Sequence, residues 1–293
     1  MTWAKRLSSV LDYIETNLDS DIEIAVMAER ASASLYHFHR VFSGAFGLTP
    51  AEYVRCRRLT MAGEELKNSK QTVLAIAAKY GFDSPNAFTR AFRQFHGVNP
   101  NQARNEEFVA ADFNRHQIDL PPQGEITMQY QLINKPAFKA LGKSQAFEFE
   151  SFAKKAPKYW KDYVAGEEYS DLMTLSQGQT GTVSQAPLMS VYQPDESGNR
   201  QQFTDTLAIE ADANTAPDKF NLIEIPAATY AEFHCTWHTS MQTNKAIYGK
   251  WFAESGFERD GSKPDIAAYF PVPFRPLKEM KIRWWIPVLV KSD

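Results

Sequence analysis

Apolar residues return at helical spacing from the start of the chain. Leu7, Val10, Leu11, Ile14 and Leu18 share one side of a helical repeat and predict an amphipathic helix. Asp21 is placed to cap a short second helix through Ile24, Met27, Ala28 and Ala31. After Ser32-Ala33-Ser34 a third helix is expected, capped by Ser34, with Phe38, Val41, Phe42 and Ala45 inward and Tyr36, His39, Arg40 and Ser43 outward. Gly47 ends it, and Pro50 opens a fourth that carries Arg55, Arg57 and Arg58 and runs to about Leu66. The pattern then restarts. Thr72–Tyr80 reads as a short helix and Gly81 as a turn, since glycine takes the left-handed region cheaply. Ser84 caps a further helix with Phe88, Ala91, Phe92 and Phe95 inward and Asn86, Thr89, Arg90 and Arg93 outward.

The restart is a repeat. Ser34/Ser84, Phe38/Phe88, Arg40/Arg90, Phe42/Phe92, Phe46/His96, Gly47/Gly97 and Pro50/Pro100 all share one offset. A short helix, a tight turn and a capped helix with a cationic outer face form a helix-turn-helix unit, and two occur in one chain. The second helix of such a unit reads base edges in a major groove, so two copies suit grooves about 34 Å apart. Arg40 and Arg90 suit guanine O6 and N7, and Asn86 suits adenine. Tyr36 and His39 suit bases or phosphates; Arg93, Arg55 and Arg58 suit the phosphate backbone.

Residues 3–105 resemble the DNA-binding domain of AraC-type transcription regulators. The resemblance rests on the paired units, on LTPAEYVRCRRLTMA and on YGFDSPNAFTRAFRQFHGVNP. It implies base-reading positions at Tyr36, His39 and Arg40, and at Pro85, Asn86, Thr89 and Arg90. Pro85 departs from the polar residues common at its position, and it suits an apolar contact such as a thymine methyl.

Beyond residue 105 the pattern changes. Residues 106–124 hold few periodic apolar positions and end in LPPQG, and they read as a linker between a domain at 1–105 and another at 125–293. Strand-like runs follow at Ile126–Leu132, Ala137–Phe147, Pro187–Gln193, Thr206–Ala211, Asn221–Cys235, Asp265–Phe270 and Met280–Val288. Helix-like runs at Phe149–Val164 and Ser240–Ser255 interrupt them. Pro136-Ala137 and Pro226-Ala227 echo each other. The fold class is therefore multidomain: an all-α double helix-turn-helix domain, then a duplicated β-α-β-β unit of α+β type. Two sheets side by side are expected, with helices on one face and a shared cleft on the other.

The region 125–290 resembles the gyrase-inhibitor-like (GyrI-like) effector-binding domain through IEIPAATYAEF, PDIAAYF and KIRWWIPV. The resemblance implies a pocket for small, often cationic or amphipathic molecules. Its pocket glutamate falls on Ala267 here, leaving Glu232, Asp265 or another acid to meet a cation. The candidate ligand-binding residues are Trp160, Tyr163, Tyr192, Glu232, Tyr269 and Trp285, since ring faces attract cations.

Composition adjusts this picture little. The 293 residues carry a net charge of −3. The split informs more: residues 1–104 hold 13 Lys and Arg against 10 Asp and Glu, and the remainder 19 against 25. A mildly basic front suits DNA. Two cysteines exclude a disulfide framework, and no run suits a signal peptide or a membrane span, so a cytoplasmic protein is expected. His234 and His238 would lie about 13 Å apart in a strand, too far for one ion. No metal, cofactor or catalytic constellation is expected, and the chain is read as no enzyme. Double-stranded DNA and a small-molecule effector are the expected partners. RNA polymerase is a further candidate, and the alternatives for the second domain are a small-molecule hydrolase or a protein-interaction module.

Overall fold

A computed structural model describes residues 3–105, 107–111, 113–116, 128–194, 201–212, 216–271 and 277–290. The chain divides into two compact units. The first comprises Met1–Ala33 and Phe46–Leu120; the second comprises Ser34–Ala45 and Pro121–Asp293. Much of the linker read at 106–124, and the start of the strand read at Ile126–Leu132, lie outside the described residues.

The first unit is helical: α1 (Trp3–Thr16), α2 (Ile24–Arg30), α4 (Pro50–Asn68), α5 (Val73–Lys79) and α6 (Pro85–His96). Thr49 and Glu52 close a capping box at the start of α4, and Pro50 takes its first turn, where no amide partner is needed. The two short-range caps of the second helix-turn-helix also form. Thr72 Oγ1 accepts from the Ala75 amide and Ser84 Oγ from the Ala87 amide. Gly81 and Gly97 take φ of 70° and 78°, the left-handed turns that the sequence pattern required. Leu59, Ala62, Leu66, Ile76, Ala77, Tyr80, Phe88 and Phe92 make the core that binds α5 and α6 to α4. Arg57 is buried and paired in two-pronged fashion with Glu15 at 2.7 and 2.8 Å. Arg58 donates Nε and Nη2 to the carbonyls of Leu18 and Ser20.

The second unit holds helix α3 (Leu35–Phe46) up to Ala45, and a sheet built from β1 (Gln131–Lys135), β2 (Phe138–Glu148), β3 (Leu188–Pro194), β4 (Gln202–Glu210), β5 (Asn221–Ile225), β6 (Ala228–Thr236), β7 (Phe257–Arg259), β8 (Asp265–Phe270) and β9 (Lys281–Val290). Helices α7 (Phe152–Val164), α8 (Glu167–Leu175), α9 (Ser240–Ala246) and α10 (Phe252–Glu254) complete it, with a π-helical turn at Ile247–Trp251. The order β1-β6-β9-β8-β3-β4-β2-β5 is antiparallel throughout, with β7 beside β9. The two halves are thus fused into one sheet through β3 and β8, rather than standing as two sheets. The single strand expected at Asn221–Cys235 is broken at Pro226-Ala227, and Pro136-Ala137 separates β1 from β2 in the same way; proline brings no amide to a ladder. Gly142 faces Ala208 so closely that an added Cβ would stand 2.1 Å from the Leu207 carbonyl oxygen. Gly142→Ala is expected to cost about 1–3 kcal/mol in urea unfolding, because the strands must part.

Strand register sorts the side chains. Phe203, Asp205 and Leu207 of β4, Ser190 and Tyr192 of β3, Asp265, Ala267 and Tyr269 of β8 and Trp284 of β9 share one face. Trp160 of α7 and Tyr248 of the π-turn hydrogen-bond to acids of this face. The other face, where a cleft was expected, is packed: Met189, Val191, Ala208, Tyr230, Ile266, Ala268 and Trp285 form one buried core.

Candidate DNA-reading helix and effector site

On α6, Phe88, Ala91 and Phe92 are buried, which turns the opposite side to water. Asn86, Arg90 and Arg93 are exposed there and Thr89 is half-buried. With Gln94 and Asn99 they line an open, shallow concavity of about 670 Å³. Ser84 and Pro85 fix the helix start, so Asn86 and Arg90 project from its N-terminal half, the part that enters a groove. Arg90→Ala and Asn86→Ala are each expected to weaken binding to a duplex selected from a random pool by about 1–3 kcal/mol and to relax preference at one base pair. Competition binding with point-substituted duplexes checks both effects.

The other predicted reading helix, α3, is placed differently. Tyr36 is 3% exposed and His39 4%, and the Arg40 side chain is 14% exposed. All three pack within the second unit. Tyr36 donates to Asp265 Oδ2 at 3.3 Å and meets the Phe149 and Phe203 rings. His39 stacks on Phe149 with ring centres 4.1 Å apart. In this arrangement Tyr36, His39 and Arg40 do not offer the solvent-facing surface expected from their outward phase. The sheet acids and rings that cover them lie more than a hundred residues away in sequence.

Burial lowers the His39 imidazole from its ordinary value to about 4. A histidine released to water titrates near 6.5. The packed helix therefore binds fewer protons than the released one, so its packing is strongest above about pH 6.5 and weakens as pH falls toward 4. Protection of amides 35–45 from hydrogen exchange is expected to fall about tenfold from pH 7.5 to pH 5.5, and His39→Phe to remove that difference.

Two buried carboxylates mark the shared face of the sheet. Asp265 accepts from Arg259 Nε at 2.9 Å and from the Tyr248 hydroxyl, and Arg40 Nη2 stands 3.8 Å away. Asp205 accepts the Trp160 indole N–H at 2.7 Å and faces the Ser190 hydroxyl, with no ion-pair partner among the described residues. Burial raises the Asp205 carboxyl to about 7; Trp160, Ser190 and Arg40 favour its charged form without offsetting that cost. Tyr269 donates to Ser190 Oγ at 3.0 Å, and Tyr192 stacks on Trp284. Burial pushes the Tyr163 phenol up to about 12, and its hydroxyl has no hydrogen-bond partner. Neighbouring tyrosines, Trp160 and two acids thus form a polar-lined aromatic site suited to a cation.

The six sequence candidates divide between the faces. Trp160, Tyr163, Tyr192 and Tyr269 belong to this site. Glu232 and Trp285 do not: they lie on the opposite face, where Trp285 Nε1 donates to Glu232 at 2.8 Å and His234 holds the other oxygen. Asp205, Ser190, Tyr248 and Trp284 were missed. Asp205 had a legible signal, an acid in phase with Phe203, Leu207 and Ile209 on a strand. Ala267 and Asp265 are both buried on this face. Among the described residues no cluster of three or more His, Cys, Asp or Glu is arranged for a metal, and no helix is long and apolar enough to cross a membrane.

Comparison with known proteins finds relatives for both parts of the chain. Residues 27–106 match the family described as Helix-turn-helix domain, and residues 131–288 match that described as Integron-associated effector binding protein. The Transposon Tn10 TetD protein of Escherichia coli is 41% identical over 101 residues, 34% of this chain and 73% of that protein. The Multiple antibiotic resistance protein MarA of Escherichia coli strain K12 is 35% identical over 103 residues, 35% of this chain and 81% of that protein. The structure of SAV2435 bound to tetraphenylphosphonium is 17% identical and covers 55% of this chain and 94% of that one, with a TM-score of 0.44. The protein is a DNA-binding transcription regulator of AraC/MarA type with a fused effector-binding domain. Through residues 131–288 the chain belongs to the Integron-associated effector binding protein family.

Proposed function

We propose that this regulator senses a small cation with an aromatic or planar body, held against Asp205 and the rings of Trp160, Tyr163, Tyr192 and Tyr269. The observation that carries the reading is Asp205: a buried carboxylate with no ion-pair partner among the described residues, in a wall of aromatic side chains. An unpaired buried charge is costly, and a bound cation offsets that cost. Ring faces add about 0.5–2 kcal/mol each where water is excluded. The regulatory output is DNA binding through α6 and α3, which read successive major grooves when both are presented.

Calorimetric titration of the full chain at pH 8 with benzamidine, and with benzamide as its neutral counterpart, tests the reading. Benzamidine is expected to bind at one site and at least about tenfold more tightly, the worth of one charge-assisted contact. Equal affinity for the two, or saturation by neither, contradicts it. Tetraphenylphosphonium, the cation in the SAV2435 structure, serves as a bulkier second probe. A hydrolase reading is not favoured, since the acids here meet indole, tyrosine and arginine.

A further inference from the structure

We propose that α3 is a built-in occupant of the cation site, with Arg40 as the stand-in for the effector, and that effector binding frees α3 to read DNA. This rests on the cation-sensing reading above. Arg40 presents a planar cation to the same sheet face, sharing the Tyr192 ring of that site and adding Tyr248, Trp284 and its own helix's Tyr36. Its guanidinium carbon lies 4.9 Å from the Tyr248 ring centre, 5.7 Å from Tyr36 and 5.8 Å from both Tyr192 and Trp284. Asp265 is its nearest acid, and Arg40 also acts on the charge of Asp205.

The fit is close in backbone and incomplete in hydrogen bonding. Gly44 of α3 and Gly249 of the π-turn let two backbones touch: a Cβ on Gly249 would stand 2.4 Å from the Gly44 carbonyl oxygen, and one on Gly44 would stand 2.7 Å from the Gly249 amide nitrogen. No larger residue fits at either position without moving the helix. Yet Arg40 Nε and Nη2 are buried without a hydrogen-bond partner. A guanidinium held by rings and a 3.8 Å ion pair is displaceable by a ligand that satisfies the acids better.

The two roles of α3 exclude each other. Tyr36, His39 and Arg40 are the base-reading positions expected of the first helix-turn-helix, and bases are read only by side chains open to a groove. While α3 lies on the sheet, the chain has one presented reading helix, α6. A cation that takes the Arg40 position releases the second. The linkage is reciprocal: bound two-groove DNA must raise cation affinity by the same factor.

The test uses the full chain, benzamidine, and a duplex selected from a random pool in the presence of benzamidine. Wild-type affinity for that duplex is expected to rise by about tenfold at saturating benzamidine, within the usual range of such couplings. Gly249→Leu, which leaves Asp205, Asp265 and every reading residue in place, is expected to bind the duplex about tenfold more tightly without the cation and to gain little from it. Phe149→Ala, which removes the ring under His39, is expected to do the same and covers the case in which Gly249→Leu fails to fold. Benzamidine that binds by calorimetry while DNA affinity stays constant overturns the proposal, as do two folded variants that bind DNA like the wild type. A DNA gain in both variants with no benzamidine binding would retain α3 as the occupant and overturn the cation reading instead.

Discussion

Asp265→Ala is expected to destabilise the second unit by about 3–5 kcal/mol, the cost of leaving a buried charge without its partner. Asp265 is 0% exposed and the Arg259 side chain 1%. Arg259 keeps two carbonyls, of Asp260 and Lys263, but loses the only carboxylate paired with it among the described residues. The Tyr36 and Tyr248 hydroxyls lose their acceptor at the same time. Five of the six tryptophans lie beyond residue 124, so urea unfolding followed by tryptophan emission reports chiefly on this unit. The double variant Asp265→Ala/Arg259→Met is expected to recover a large part of the loss, because it removes both charges together. A loss under about 1 kcal/mol for the single variant would mean that the cluster is solvated in solution.

Asp205→Asn is expected to act in two opposing directions. Its native carboxyl is raised above its unfolded value, so ionised Asp205 is a cost in the folded state. That cost is absent below about pH 4, grows as pH rises to 7, and is constant above it. Asparagine still accepts the Trp160 indole N–H and carries no charge. A gain of about 2–4 kcal/mol at pH 8, vanishing near pH 4, is therefore expected in urea unfolding. Benzamidine affinity should fall about tenfold or more at pH 8, the worth of a charge-assisted contact. Greater stability with poorer binding is the signature of a group kept for a ligand. Lower stability at pH 8, or unchanged benzamidine affinity, would make Asp205 an ordinary internal acid.

The helical part of the chain was legible because its signals are local. Ser34 and Ser84, Gly47 and Gly97, and the phenylalanine pairs repeat at one offset, and caps, turns and the 3.6-residue phase each depend on a few neighbours. The halves of the sheet domain were legible for the same reason, through Pro136-Ala137 and Pro226-Ala227. Registry was not. Glu232 and Asp265 are both acids on strands, yet a strand has two faces, and only the pairing of β6 and β8 with β9 shows that these two point apart. Aromatic content likewise offered Tyr192, Tyr269 and Trp285 alike, and only the strand register separates the face of the first two from that of Trp285.

Arg40 is the sharpest case. Its phase on α3 is that of a solvent-facing residue, as for Arg90 on α6, and the repeat argues that the two are equivalent. The difference comes from Asp265, Tyr192, Tyr248 and Trp284, each more than 150 residues distant in sequence. Periodicity within a helix records which side is apolar. It does not record what the polar side meets when a partner surface supplies acids and rings of matching chemistry.

Hydrogen exchange of residues 35–45 in the full chain, followed with and without saturating benzamidine at pH 8, addresses the placement of α3 most directly. Strong protection in the free chain that drops when benzamidine binds, while the sheet strands β3 and β8 stay protected, is the expected result. Amides of α3 that exchange freely without ligand, or remain equally protected with the cation bound, would contradict it.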